Sequence, residues 1–412
     1  MKIGFIGLSH LGLCYLAASA VKGCNVIGFT KDINYYKLIK EYKFPIKEKN
    51  LIESLKKNKK RINFTNNIEE LNKTDLIFIS LDVKTSANGT SNLSDLNKYL
   101  EIILKRIQKN KILILLSQVP PGFTDSVKWN KNKLFYQVET LIFGDALKRA
   151  LNPERIIIGK YNKNKKINSS LLKYYNLFTN NQIIMSYTSA ELTKISINMY
   201  LASSITTTNT LAEICENISA DWKDIIPALK SDKRIGRYAY LSPGLGIGGG
   251  NIIRDIKTLI KISNQSKSSQ SLMNSIISNS NRRKLWAVKK IENLMKNFKF
   301  NKICILGLTY KEGTNSILNS PSIFIINYFK DVQFFAYDPL VKKINKYKNL
   351  TICNNYEEAV ISSNIVILST PNKEYKKIKF YKYKNLKYFF DPLGYIDSGL
   401  EKSKFKYYRI GN

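Results

Sequence analysis

Two stretches of this 412-residue chain combine residue types and spacings suited to chemistry. SPGLGIGGGNIIRD, over 242–255, holds Gly244, Gly246, Gly248, Gly249 and Gly250 and closes on an Arg-Asp pair. Glycine loses more freedom on folding than any other residue, so this composition predicts a loop whose backbone approaches a ligand closely. A flexible linker is the blander reading, but the loop lies between an apolar YAYLSP run and a charged helix start. GLSHLG, over 7–12, follows a β-rich run and supplies Gly7 and Gly12, the first and third glycines of a GxGxxG turn. Such a turn lays a dinucleotide's pyrophosphate against the free N–H groups of a helix N-terminus. Ser9 takes the middle position and adds a Cβ where the pyrophosphate would approach. The next β-rich run ends in Thr30 and Lys31 rather than the acid that holds an adenosine ribose, with Asp32 two positions late.

Other residues narrow the chemistry by exclusion. His10 is the only histidine, so a Ser-His-Asp triad would have to use the phosphate turn itself, and a multi-histidine metal site is impossible. His10 therefore reads as a turn residue, and no metal is expected. The five cysteines (Cys14, Cys24, Cys215, Cys304, Cys353) are odd in number and never in CxxC spacing, which argues against a disulfide framework or zinc knuckle and fits a reducing cytoplasm.

The elements that position these residues follow from periodicity. A strand over 2–6, a helix over 11–21 and a strand over 25–29 form a βαβ opening, which accounts for the start better than a secretory signal does. Apolar runs at 76–81, 112–117 and 155–158 alternate with helical stretches such as 95–108, the rhythm of a parallel sheet covered on both faces. From Ser189 the chain runs as AELTKISINMYLASSITTTNTLAEICENIS with no Gly or Pro, predicting one long helix that connects domains or makes a dimer seam. A second helical stretch covers 271–296. A fresh αβ alternation starts at 302–306 and continues at 332–337, 365–369 and 388–390. The expected fold is α/β, with two Rossmann-like, doubly wound domains (1–185 and 299–412) joined by a helical middle domain (186–298).

Composition bounds the partners. Hydrophobic residues make up 44% and aromatics 11%, too rich for a disordered chain. Lys plus Arg outnumber Asp plus Glu by 66 to 31, a net charge of +35. The excess lysine comes with abundant Asn, Ile, Tyr and Phe, all encoded by A/T-rich codons, so the charge requires no polyanionic partner. The Lys/Tyr tract over 373–387 has the composition of an RNA-contacting surface, yet it reads better as a solvated stretch leading into a buried strand. No specific nucleic acid and no membrane partner are expected, and no segment approaches the ~18 apolar residues of a membrane span.

Collinear motifs resemble the nucleotide-sugar dehydrogenases of the UDP-glucose/GDP-mannose dehydrogenase family. PGLGIGGGNIIRD resembles that family's PGxGFGGSCFPKD, and SQVPPGFT (117–124) its STVPxGTT. YQVETLIFGDALKRALNPERIIIG (136–159) resembles YSPEFLREGxAxxDxxNPxRIVIG. SAELTKISINMYLA (189–202) resembles the long-helix motif, DKRIG (232–236) resembles DxRIG, and ILGLTYKEGTNSILNSPS (305–322) resembles ILGLAFKxxTDDxRxSPS.

The resemblance implies oxidation of a sugar C6 alcohol to a carboxylate with two NAD, for polysaccharide precursors, by a homodimer. It implies that Lys194 and Asn198 polarise the C6 oxygen, Asp255 serves the base and water system, and Glu139 is the catalytic glutamate. Arg234 reaches a sugar phosphate or hydroxyls across the dimer, Lys311 lies near the ligand in the third domain, and the loop glycines contact substrate. Thr30 and Lys31 leave NADP open beside NAD. The departures are also specific. Asn251 holds the position of the nucleophilic cysteine, Gln118 that of the threonine in STVP, Asn315 and Ser316 those of the two acids, and Leu318 that of the arginine. An amide cannot form the thiohemiacetal and thioester of the second oxidation, so the product is expected to stop at, or leak as, the aldehyde. Cys215, on the long helix, is the cysteine that folding could bring near the loop. The alternatives are a non-catalytic nucleotide-sugar-binding relative and, resting on charge alone, an RNA-binding protein. Joint retention of Lys194, Asn198, Glu139 and Asp255 favours catalysis.

Overall fold

The computed structural model describes residues 1–46, 48–86, 89–263, 267–298, 301–396, 400 and 404–412. The chain divides into two compact units, 1–197 and 198–412. The strands of the first are β1 (Lys2–Ile6), β2 (Asn25–Phe29), β3 (Ile62–Thr65), β4 (Leu76–Ile79), the small hairpin β5 (Lys84–Thr85) and β6 (Ser91–Asn92), then β7 (Ile112–Leu115), β8 (Leu134–Gln137), β9 (Ile156–Lys160) and β10 (Gln182–Ser186). Its sheet has the order β10-β9-β8-β7-β4-β1-β2-β3. From β3 to β8 the pairs are parallel, and β9 joins β8 antiparallel. β4 and β7 read LIFI and ILIL and are buried at every residue, as strands covered on both faces must be. The order places β1 and β4 side by side with their connections leaving on opposite sides, so the crevice beyond their carboxyl ends is the binding place of a doubly wound sheet.

The second unit repeats the plan with β11 (Lys302–Leu306), β12 (Gln333–Tyr337), β13 (Leu350–Ile352), β14 (Ile365–Leu368), β15 (Tyr388–Phe390) and β16 (Lys406–Tyr408), ordered β13-β12-β11-β14-β15-β16 and wholly parallel. The expected α/β class with two doubly wound sheets and a helical stretch between them is the fold the chain adopts. The long helix spans Tyr187–Ile218 and stops where Ser219 takes a left-handed φ of 59°. Helices Trp222–Ser231, Asn251–Ile262 and Lys267–Asn297 follow it.

Besides the small hairpin β5–β6, five strands of the two large sheets lay outside the periodicity reading: β3, β8, β10, β13 and β16. Four of them lie at sheet edges, where one side is solvated and the sequence (INFT, QIIMS, LTI, KYY) carries no unbroken apolar run. The fifth, LFYQ, is buried but ends in polar Gln137.

Residues 409–411 are pinned to the end of the long helix and the segment that follows it. Trp222 N–H donates to Gly411 O at 2.8 Å, Gly411 N–H donates to Glu216 at 3.2 Å, and Arg409 pairs with Asp221. Gly411 has φ +82°, and a Cβ there would lie 2.6 Å from Trp222 Cβ. Gly411→Ala is expected to destabilise the second unit by about 2 kcal/mol or more, from left-handed strain plus overpacking, read as a lower urea midpoint.

Candidate active site

The turn after β1 leads into helix His10–Val21. Gly7 has φ +90°, a conformation L side chains rarely adopt, and a Cβ there would come within 2.6 Å of Leu81. At Gly12 a Cβ would lie 1.9 Å from Gly7 O, so both outer glycines are dictated by the turn itself. Ser9 is the N-cap, but its side chain makes no bond into the helix, and the first turn carries no acid. The free N–H end of a helix at the switch point fits a dinucleotide pyrophosphate. At the end of β2, Thr30 is buried and its Oγ1 accepts the Asp32 N–H at 3.3 Å. Asp32 caps the next helix, accepting Asn34 and Tyr35 N–H at 2.9 and 3.0 Å, so its carboxylate is committed locally. The Lys31 ammonium sits 4.8 Å from the Tyr99 ring centroid. His10, expected in the turn, instead opens the helix: Nε2 lies 2.8 Å from the buried Glu48 carboxylate, and the ring stacks on Phe143.

The first unit brings Lys194 and Glu139 together. The ammonium lies 3.3 Å from the carboxylate, and the side chains are only 13% and 16% exposed. Glu139 also accepts the N–H of Leu141 in its own loop. One turn earlier on the helix, fully buried Glu191 accepts Gly122 N–H at 2.5 Å and Thr124 N–H at 2.7 Å. Burial raises its pKa, against those hydrogen bonds. Glu191 thereby fastens the loop that carries Gln118 to the helix that carries Lys194. The AELTK motif contained this residue, but nothing in the sequence marked it as the loop's anchor.

Asn198, four residues beyond Lys194 on the same helix, belongs to the second unit, where its amide donates to Asp255. Asp255 is 2% exposed and paired at 3.2 Å with Arg254 Nε, itself 3% exposed. Arg254 is a second residue that motif reading did not assign, although the adjacent Arg-Asp pair was visible. It sets an opposite charge against a buried carboxylate, which is costly to leave unpaired. Asn251 is the exposed first residue of helix Asn251–Ile262, with Gly250 as N-cap.

The glycine loop is shaped by contacts within the chain. A Cβ at Gly246, where φ is +86°, would lie 2.3 Å from Ser280 O. At Gly248 and Gly249 it would come 2.9 and 2.7 Å from Tyr310. Asn319 and Leu318 hold the same loop through Gly249 O and N–H, at 2.8 and 3.0 Å. Gly244 is less confined, and its N–H donates to Asn209 at 2.8 Å. Tyr310 is followed by Lys311, so this packing joins two of the sequence motifs. Arg234 stands apart: its guanidinium forks onto Asp232 at 3.1 and 2.6 Å, and the side chain is 89% exposed. A cleft at the switch point of the second sheet is lined by residues including Gly307, Thr309, Asp338 and Thr370.

Cys215 does not approach the loop as a nucleophile. It is 4% exposed in a core with Trp222 and Trp286, and the other four cysteines are also buried. The tract over 373–387 turns Tyr375, Ile378, Phe380 and Leu386 into the core and its lysines outward, leaving few rings for stacking bases. No helix among the described residues is long and apolar enough to cross a membrane.

A phosphate-binding turn on one doubly wound sheet, a second such sheet, and lysine–carboxylate and amide–carboxylate pairs define a nicotinamide-dependent alcohol dehydrogenase class. Within it, the chain belongs to the UDP-glucose/GDP-mannose dehydrogenase family, matching its NAD binding domain over 1–179, its central domain over 188–282 and its UDP binding domain over 304–398. A UDP-glucose 6-dehydrogenase of Rickettsia prowazekii is 32% identical, with full coverage of both chains. In fold, the chain is similar to a UDP-glucose dehydrogenase from Pyrobaculum islandicum (TM-score 0.86, 21% identity, 98% of this chain and 96% of that one). A UDP-D-ManNAc dehydrogenase from Pyrococcus horikoshii has TM-score 0.84 at 21% identity, covering 100% and 99%. The chain is thus an NAD-dependent nucleotide-sugar dehydrogenase acting on a CH–OH donor.

Proposed function

We propose that the chain oxidises the C6 alcohol of a UDP-sugar of the UDP-glucose type to the aldehyde, in the cytoplasm, supplying polysaccharide precursors. The observation that carries this reading is the pairing of Lys194 with Glu139 and of Asn198 with Asp255, which orients a cation, an amide donor and two carboxylates. NAD, held at the turn over 7–12, would supply the hydride acceptor for C6. Lys194 and Asn198, one helical turn apart, stabilise the oxyanion that forms as the hydroxyl proton leaves. Asp255, paired with Arg254, receives that proton directly or through water. Glu139 and Gln118 orient water for any later step. Arg234 and Lys311 supply positive charge toward the sugar nucleotide, as the exposed Arg234 guanidinium supports. The division at about 185 and 298 serves as the functional one. The test is a panel of nucleotide sugars with NAD, read by cofactor absorbance and product mass. Binding of a sugar nucleotide without any cofactor reduction would favour the non-catalytic relative.

NAD binding is expected to be weaker than in relatives that keep the ribose acid, since that hydrogen bond, worth about 1–3 kcal/mol at a charged group, is missing. NADP is expected to bind within about tenfold of NAD, because no carboxylate at the end of β2 repels a 2′-phosphate. Calorimetry with both cofactors decides this, and strong exclusion of NADP would refute it.

The homodimer is supported by apolar residues that the long helix leaves exposed, among them Leu201, Leu211, Ile214 and Ile218 at 37–68%. A stripe of this kind on a helix needs a partner. Sedimentation at micromolar concentration is expected to give twice the chain mass.

A further inference from the structure

One buried carboxylate joins two segments of the first unit that are far apart in the chain. Glu48 lies between helix Ile33–Lys40 and helix Leu51–Lys57, and its side chain is 1% exposed. Its Oε2 takes the His10 Nε2 at 2.8 Å and the Gly144 N–H at 3.0 Å, while Oε1 takes the Ala146 N–H at 3.1 Å. His10 opens helix His10–Val21 behind the phosphate turn, whereas Gly144 and Ala146 end the loop that starts at Glu139. A second contact ties the same two segments. Phe143, from that loop, stacks on the His10 ring with centroids 4.2 Å apart and planes at 24°. Leaving a buried carboxylate without its donors is costly, so a shift of either segment alone carries a penalty.

We propose that Glu48 is a positioning residue that couples the phosphate turn to the loop of Glu139 through His10, a role that rests on NAD binding at the turn and on the sugar oxidation proposed above. A pyrophosphate seated on the turn fixes the start of helix His10–Val21 and with it His10. Glu48 and Phe143 pass that restraint to the loop, which is then ordered before the sugar nucleotide arrives. Coupling of this kind is reciprocal, so a ligand on the loop tightens cofactor binding by the same factor. An amide does not replace the carboxylate. Glutamine offers a single oxygen, and its NH2 then faces a donor on one of the two sides.

Hydrogen exchange of segment 139–146, read by mass spectrometry on the full chain with and without saturating ADP-ribose, tests this in the unmodified protein, Glu48→Gln and His10→Ala. ADP-ribose carries the pyrophosphate without the reacting ring, so it fills the turn and leaves the chemistry out. It is expected to slow exchange of the segment about fivefold or more in the unmodified protein, and by less than about twofold in either variant. His10→Ala keeps a good helix former and the two backbone bonds of Glu48 while cutting both links to the turn, so it decides the matter should Glu48→Gln not fold. Absence of protection in the unmodified protein overturns the coupling, as does equal protection in the variants. Calorimetry of UDP-glucose with and without ADP-ribose reads the catalytic side. The affinity gained from ADP-ribose should fall in both variants, whereas a merely structural role weakens binding and leaves that gain intact. If UDP-glucose binds no form while ADP-ribose still protects the loop only in the unmodified protein, the coupling stands and the substrate reading fails.

Discussion

Asn251→Cys is expected to change the product rather than the first rate. The unmodified chain should release mainly the C6 aldehyde with one reduced cofactor per sugar, because removing a hydride from an alcohol needs a proton acceptor and oxyanion stabilisation but no covalent bond to the enzyme. Oxidising the aldehyde requires a tetrahedral adduct first. With no thiol, that adduct is the hydrate, whose formation depends on water. Position 251 suits a nucleophile: it is exposed, and it opens helix Asn251–Ile262 behind Gly250, so unpaired N–H groups and the positive helix end would lower a thiol pKa there. Substitution disturbs no core contact, and the acid-to-aldehyde ratio should rise by about tenfold or more as covalent catalysis returns. Gln118 limits the gain if it places the hydrolytic water badly. Product mass spectrometry and cofactor stoichiometry for the two proteins decide the matter. Uronic acid already formed by the unmodified chain at ordinary enzymatic rates, with two cofactors reduced, would show that Asn251 is not the limiting departure.

The legible part of the fold was the part buried on both faces. LIFI, ILIL, ICIL (303–306) and IVIL are unbroken apolar runs because helices cover both sides of their strands, whereas LTI and KYY lie at sheet edges and look like loop. The long helix was legible because nothing in it stops a helix, and its end was not, because Ser219 adopts a left-handed conformation usually left to Gly or Asn. At the site, motif spacing found the residues with chemistry but not those that hold them. Glu191 binds a loop about seventy positions away, Glu48 reaches His10 and the N–H groups of Gly144 and Ala146, and Asp82 meets the phosphate turn from another strand. These contacts exist only after the sheet has formed. The glycine loop was read as an approach to ligand, and part of its composition has a nearer cause in Tyr310 and Ser280.

Lys194→Met is expected to lower kcat for the first oxidation by about 100- to 1,000-fold, the cost of removing one preorganised charge from a developing oxyanion. Methionine keeps an unbranched stem of similar length, so the helix should persist and NAD affinity should not change. The loss should fall on kcat and kcat/KM together, because the cation's advantage grows only as the C6 oxygen gains charge. A sugar deuterated at C6 makes the test sharper. With the cation gone, hydride transfer becomes the slow step, and the primary isotope effect should rise to its full value. Glu139 keeps the Leu141 N–H but loses the ammonium 3.3 Å away, so water activation should suffer as well. Glu139→Gln separates the two effects: it retains the cation and should spare the first oxidation while reducing acid formation in the Asn251→Cys background. If Lys194→Met instead raises KM and leaves kcat intact, the ammonium binds substrate and oxyanion equally, and stabilisation of the oxyanion has to come from Asn198.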